Sequence, residues 1–137
     1  MEKYIHMSKI KYPAIFHYED NEFWVEFPDL DGCFSSGTTL EEAYDNAKEA
    51  LGIYLDKSND TENRVIKEPS KSCNIITDQD CTIMFVEYDS IEYAKKFKNK
   101  AIKKTLSIPE WLNDIAIKNN INFSNVLQEA LMKKLDI

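Results

Sequence analysis

IKKTLSIPEWLNDIAIKNNINFSNVLQEALMKKL, running from Ile102 to Leu135, is the stretch whose reading decides how the chain is built. Ile102, Lys104, Leu106 and Ile108 alternate with Lys103, Thr105 and Ser107. The alternation predicts a short strand with one mostly apolar face and one polar face that carries donors and no acid. Pro109 stands where a helix can begin, because the N–H it lacks would have no partner in a first turn. A first helix is expected from Pro109 to Lys118, with Leu112, Ile115 and Ala116 as its apolar stripe and Trp111 at one edge. Asn119-Asn120 marks its end, since amide side chains tolerate the left-handed conformation. Ser124 is then the expected N-cap of a second helix, whose stripe is Val126, Leu127, Ala130, Leu131 and Leu135. A strand and two one-sided helices of this size cannot bury a core or satisfy the strand edges, so the unit is expected to be half of something.

Pairing the strand with its copy in a second chain solves both problems, and the order and spacing resemble the ribbon-helix-helix family of dimeric DNA-binding proteins. The resemblance implies a two-stranded antiparallel ribbon in the major groove of operator DNA, with Lys103, Thr105 and Ser107 facing base edges. It also implies a phosphate clamp at the start of the second helix, at Ser124, Asn125 and Val126, where N–H groups and the positive dipole end meet an anion. The competing reading is a helical hairpin docked on the rest of the chain. That arrangement does not require a basic strand without acids.

Outward from this stretch, 137 residues with 43% hydrophobic content, three Gly and four Pro describe a folded chain. The length suits one small domain joined to a dimerisation module. The net charge of −7 counts against nucleic-acid binding until its distribution is read. Residues 12 to 92 hold 19 acids and 5 bases, whereas Tyr93 to Ile108 hold six Lys and no acid. An acidic body suits a basic protein partner, and a basic ribbon suits phosphate. Cys33, Cys73 and Cys81 are odd in number and lack CxxC spacing, and the chain has two His, which argues against a disulfide framework and a zinc site. No apolar run reaches membrane-span length and MEKYIHMSKIKY lacks a signal-peptide core, so a cytoplasmic, membrane-free protein is expected.

In chain order, the first eleven residues read as a lead-in. YPAIFHY (Tyr12 to Tyr18) and Glu22 to Phe27 form a hairpin about Glu19-Asp20-Asn21. Phe23, Val25 and Phe27 share one face and Trp24 and Glu26 the other. Pro28 ends the second strand, Gly32 gives the turn its freedom, and Cys33 to Ser36 returns as a third strand. Thr39 and Glu42 supply a capping box for a helix from Leu40 to Leu55, with Leu40, Ala43, Ala47, Ala50, Leu51 and Tyr54 inside. Residues 56 to 72 read as a loop, and DCTIMFVEYD (Asp80 to Asp89) as a central strand covered on both faces. The fold class is therefore α+β: a strand-strand-strand-helix-strand domain over residues 1–92, a basic linker over 93–100 and a ribbon-helix-helix over 101–137.

YPAIF, the string FWVEFPDLDGCFSSGTTLEEAYDNAKEAL from Phe23 to Leu51, and the late strand ahead of the C-terminal unit resemble the HicB antitoxin family. Asp31 stands where Pro is common in that family. The resemblance implies a trimmed ribonuclease H-like N-terminal domain that binds and blocks a small basic HicA toxin, an mRNA-cutting ribonuclease. It implies as well a C-terminal domain that binds the operator of its own operon, as a homodimer or tetramer. For the toxin, an apolar and acidic surface of Glu22, Trp24, Glu26, Asp29, Leu30 and Asp31 is expected. No cofactor and no catalysis are expected. The first strand offers His17 and no central carboxylate for two-metal chemistry, and there is no phosphate loop or nucleophile elbow. The alternative is a ribbon-helix-helix regulator whose N-terminal domain senses a small ligand and has no toxin.

Overall fold

In the computed structural model, which describes residues 9–56, 66–71, 75 and 80–137, the chain divides into an N-terminal unit ending at Asn99 and a C-terminal unit beginning at Lys100. The elements of the first unit are β1 (Ile10–Glu19), β2 (Glu22–Glu26), β3 (Phe34–Gly37), α1 (Leu40–Leu55), β4 (Cys81–Tyr88) and α2 (Ser90–Phe97). The second unit holds α3 (Glu110–Lys118) and α4 (Phe123–Leu135). Expectations for residues 1–8, 57–65 and Cys73 lie outside the described residues.

The strands form one antiparallel sheet in the order β3-β2-β1-β4. Asp20 and Asn21 join β1 to β2, with φ of 52° and 63°. A two-residue loop with both residues left-handed matches the twist of the strands it joins, and short Asp and Asn side chains tolerate it. Pro13 is accommodated because β2 pairs with β1 only from Ile15 onward, so β1 has a neighbour on one side there.

One face of the sheet carries Tyr12, Ala14 and Phe16 of β1, Val25 of β2, and Val86 and Tyr88 of β4, all buried against Ala43, Ala47, Leu51 and Leu55 of α1. Alanines at the contact let the helix approach the sheet closely. Thr39 caps α1 as expected, its Oγ1 accepting from Glu42 N at 3.1 Å. The reciprocal half of the box is displaced by one residue. Glu42 Oε2 accepts from the Oγ1 of Thr38 at 2.6 Å and from its N–H at 3.3 Å, and these bonds hold the carboxyl below the usual carboxylate range.

Three expectations for the sheet and α1 are corrected. Among the described residues β4 is an edge strand, not a central one, and Phe85 on its outer side is 44% exposed. An apolar run therefore overstated its burial, because only alternate residues meet α1. Leu40 is exposed at the start of α1 instead of lying within its inner stripe. The third strand is shifted by one residue, to Phe34–Gly37, and the β2–β3 turn places Gly32 at φ +81°, where a side chain would be strained.

The expected basic linker over 93–100 is largely helix. Asp89 caps α2, accepting from the N–H groups of Ile91 and Glu92 at 3.0 and 3.2 Å. Tyr93 then lies so close to Gly52 of α1 that a Cβ there would stand 2.4 Å from its ring. Lys98 Nζ bonds the buried Asp56 carboxylate at 2.8 Å. The lysine run thus belongs to a helix fastened onto α1, a tertiary contact that charge alone could not announce.

In the second unit the expected strand from Ile102 to Ile108 has no regular structure, and every residue in it is exposed. A strand is held by a hydrogen-bonded neighbour, and among the described residues none pairs with this run. Pro109 is the N-cap of α3 instead of its first residue, with its carbonyl accepting from Leu112 and Asn113 N–H. Asn119 closes α3 and Asn120 adopts φ 53°, as the paired amides predict. Asn122, not Ser124, caps α4, and its Oδ1 accepts from Asn125 N at 3.1 Å.

Candidate functional site

The sheet face opposite α1 is assembled by register. His17 stands across from Trp24 on one side and Cys81 on the other, and Ile15 stands across from Glu26. Alternation along each strand then places Glu22, Trp24 and Glu26 of β2, Phe34 of β3 and Phe85 of β4 on this same face. Trp24 is 36% exposed and Phe34 62%, an apolar surface bordered by the acids of β2.

The centre of the face is a polar relay. The Trp24 and His17 rings stack in parallel, with centroids 3.6 Å apart and an interplanar angle of 5°. His17 Nε2 lies 3.1 Å from Glu26 Oε1, and Cys81 Sγ lies 3.0 Å from His17 Nδ1. Glu26 as a carboxylate only accepts, so Nε2 donates to it, and Nδ1 of the neutral ring is left to accept the thiol proton. In the sequence His17 stands in a strand without a central carboxylate, and Cys81 is one of three cysteines without metal-ligand spacing, so neither points to the other. The signal that finds them is cross-strand pairing, which the sequence carries only once the hairpin and β4 are in register.

The residues expected to contact a partner are distributed unevenly. Glu22 and Asp31 are exposed, and Glu26 is half-buried against His17. Asp29 is engaged within its own unit, accepting from Ser70 N at 2.8 Å and from Ser70 Oγ. It holds the segment after α1 to the β2–β3 turn. Leu30 is only 2% exposed and belongs to the core, so its side chain is withdrawn from any contact surface. The turn needs this anchor because three of its backbone bonds, Leu30 N to Phe27 O, Cys33 N to Leu30 O and Phe27 N to Cys33 O, fold it tightly.

In the second unit Lys103, Thr105 and Ser107 are exposed. At the start of α4, Asn122 takes the N–H of Asn125 through its side chain and that of Val126 through its carbonyl at 3.1 Å. Two of the three residues expected to clamp an anion, Asn125 and Val126, thus have their N–H groups engaged by Asn122, and the first-turn amides of Phe123 and Ser124 precede them. Ile102, Leu106, Ile108, Leu112, Ile115, Val126 and Leu131, all patterned for burial, are exposed. Among the described residues, no group of three His, Cys, Asp or Glu is placed to hold a metal ion, and no helix is long and apolar enough to cross a membrane.

A family model described as the HicB_like antitoxin of bacterial toxin-antitoxin system matches residues 12–133. The chain is similar in structure to a chain of a toxin-antitoxin complex from Streptococcus pneumoniae, at 27% identity and a TM-score of 0.55, covering 93% of this chain and 99% of that one. It is similar as well to a chain of the HicA3 and HicB3 toxin-antitoxin complex, at 27% identity and a TM-score of 0.50, covering 58% of this chain and 99% of that one. A stretch of 45 residues is 42% identical to an uncharacterized 14.9 kDa protein from the rep-hol intergenic region of Haemophilus phage HP1. That match covers 33% of this chain and 34% of the phage protein, about a third of its length.

Proposed function

The chain belongs to the HicB-like antitoxin family of bacterial toxin-antitoxin systems, and from that membership we propose that it neutralises a small basic HicA-type toxin and represses its own operon. In this reading the N-terminal unit, a trimmed ribonuclease H-like core, holds the toxin. The C-terminal unit pairs with a second copy as a ribbon-helix-helix on operator DNA, in a homodimer or a tetramer. The family is one of antitoxins, not of known enzymes.

The observation that carries the toxin half is the match over residues 12–133 together with the acidic body it spans. Glu22, Trp24 and Glu26 are the proposed contacts on the sheet face, with Asp31 and the outer side of Asp29 in the turn. An aromatic anchor ringed by acids suits a basic partner, because the acids steer it and the ring supplies desolvated contact. The DNA half is supported by the acid-free, exposed run that carries Lys103, Thr105 and Ser107 ahead of two helices with uncovered apolar stripes. The amides of Phe123 and Ser124 take the phosphate role in place of Asn125 and Val126.

The test uses the full chain and the product of a neighbouring gene for a small basic protein, co-purified and measured by calorimetry. A stoichiometric complex is expected, and Trp24→Ala with Glu22→Lys should weaken it by about 2 kcal/mol or more if Trp24 is an anchor. On DNA, Thr105→Ala and Ser107→Ala should each cost about 1 to 3 kcal/mol of operator preference. Equal losses on operator and random DNA would remove base reading. A homodimer that binds its promoter but captures no basic partner would give way to the ligand-sensing regulator.

A further inference from the structure

We propose that Cys81 is a modification site, a thiol primed by His17 and Glu26 to exchange with low-molecular-weight disulfides. Three groups from three strands meet in line, thiol to imidazole at 3.0 Å and imidazole to carboxylate at 3.1 Å. This order, nucleophile to base to orienting carboxylate, is the arrangement that activates a thiol by giving its proton somewhere to go. Glu26 fixes the tautomer that leaves Nδ1 open to the thiol, and the Trp24 ring, stacked at 3.6 Å, holds the imidazole plane. The His17 and Glu26 side chains are 18% and 34% exposed, and Cys81 is half-buried at the start of an edge strand, so a small reagent can reach the sulfur. Cys33 is the contrasting case. It is buried, and burial pushes its thiol up to about 11, which leaves it protonated and unreactive at neutral pH.

The step balances without any group the protein lacks. The Cys81 proton passes to His17 Nδ1, and the sulfur attacks one sulfur of the disulfide. A new S–S bond forms as the old one breaks, and the departing thiolate recovers the proton from His17. Cys81 is oxidised and the leaving sulfur reduced. An adduct would stand beside the His17–Trp24 stack, on the face read above as the toxin surface. That consequence rests on the toxin reading, whereas the exchange does not.

The experiment treats the folded full-length chain with oxidised glutathione at neutral pH and follows each cysteine by peptide mass mapping. The imidazole nitrogen 3.0 Å from the sulfur takes the thiol proton as the attack proceeds. The net gain expected is about five- to tenfold over the same cysteine in the urea-unfolded chain. His17→Ala should abolish that gain and Glu26→Gln should reduce it, with the circular dichroism spectrum of each variant compared with the parent. Selective adduct formation at Cys81, lost in natively folded His17→Ala, supports the proposal. A Cys81 rate no faster than in the unfolded chain, a rate unchanged in folded His17→Ala, or adducts at Cys73 with none at Cys81 would each overturn it.

Discussion

Leu106→Ala tests the reading that the C-terminal unit is completed by its own copy. Leu106 is 62% exposed in the single chain, so most of its side chain is uncovered in the monomer. Full burial of a leucine side chain is worth roughly 1.5 to 3 kcal/mol. Scaling by its exposed share gives about 1 to 2 kcal/mol per protomer, and a symmetric interface counts each residue twice. Alanine keeps part of that contact, leaving a loss of roughly 1.5 to 3 kcal/mol, or about ten- to a hundredfold in the dimer dissociation constant. Sedimentation equilibrium across a concentration series reads this directly, with circular dichroism to compare the helical content. Thr105→Ala on the opposite, polar side of the expected strand should leave the association constant in place while operator preference falls. A dissociation constant unchanged by Leu106→Ala, or a parent chain that stays monomeric at high micromolar concentration, would refute the paired-ribbon argument.

Two further outcomes concern the N-terminal unit. Gly52→Ala should destabilise it, since the new Cβ would stand 2.4 Å from the Tyr93 ring. Overpacking of about 1 to 3 kcal/mol outweighs the gain of roughly 1 kcal/mol in helix propensity, lowering the thermal midpoint, and Tyr93→Ala in the same chain should relieve most of the overpacking. Cys33 sets a pH dependence, because burial pushes its thiol up from 9.0 to about 11. The contribution is fully present below pH 9 and drains away as pH rises toward 11, by at most about 2 kcal/mol. Denaturant titrations at both ends of that window should show a shallower decline for Cys33→Ala than for the parent.

Much of this architecture was legible locally. Thr39 three residues ahead of Glu42, followed by apolar positions at helical spacing, fixes α1 with both of its ends, because a cap and a periodic stripe are signals within a few residues of each other. The two-residue hairpin loop and the Asn119-Asn120 helix end are legible for the same reason: left-handed conformations select short polar side chains. α2 also has a local signal, Asp89 three residues before Glu92, but a run of four lysines without an acid over 93–100 has the composition of a linker. The N-cap of α4 was missed for a related reason, since Asn122 and Ser124 are both good caps and only the chain's entry angle chooses between them.

By itself, the sequence determined α1, α3 and α4, the hairpin, the division between an acidic body and a basic run, and the family resemblance, each of which rests on residues near one another in the chain. Only the tertiary structure decided that β4 lies at the sheet edge, that Leu30 is core, that Asp29 clasps Ser70, and that His17, Glu26 and Cys81 stand in line. Those facts depend on which strands become neighbours and in what register, and Cys81 lies 64 residues from the imidazole it touches. Pairing at that range is set by how the whole sheet buries its helix-facing side, a cooperative outcome that no single window of sequence contains.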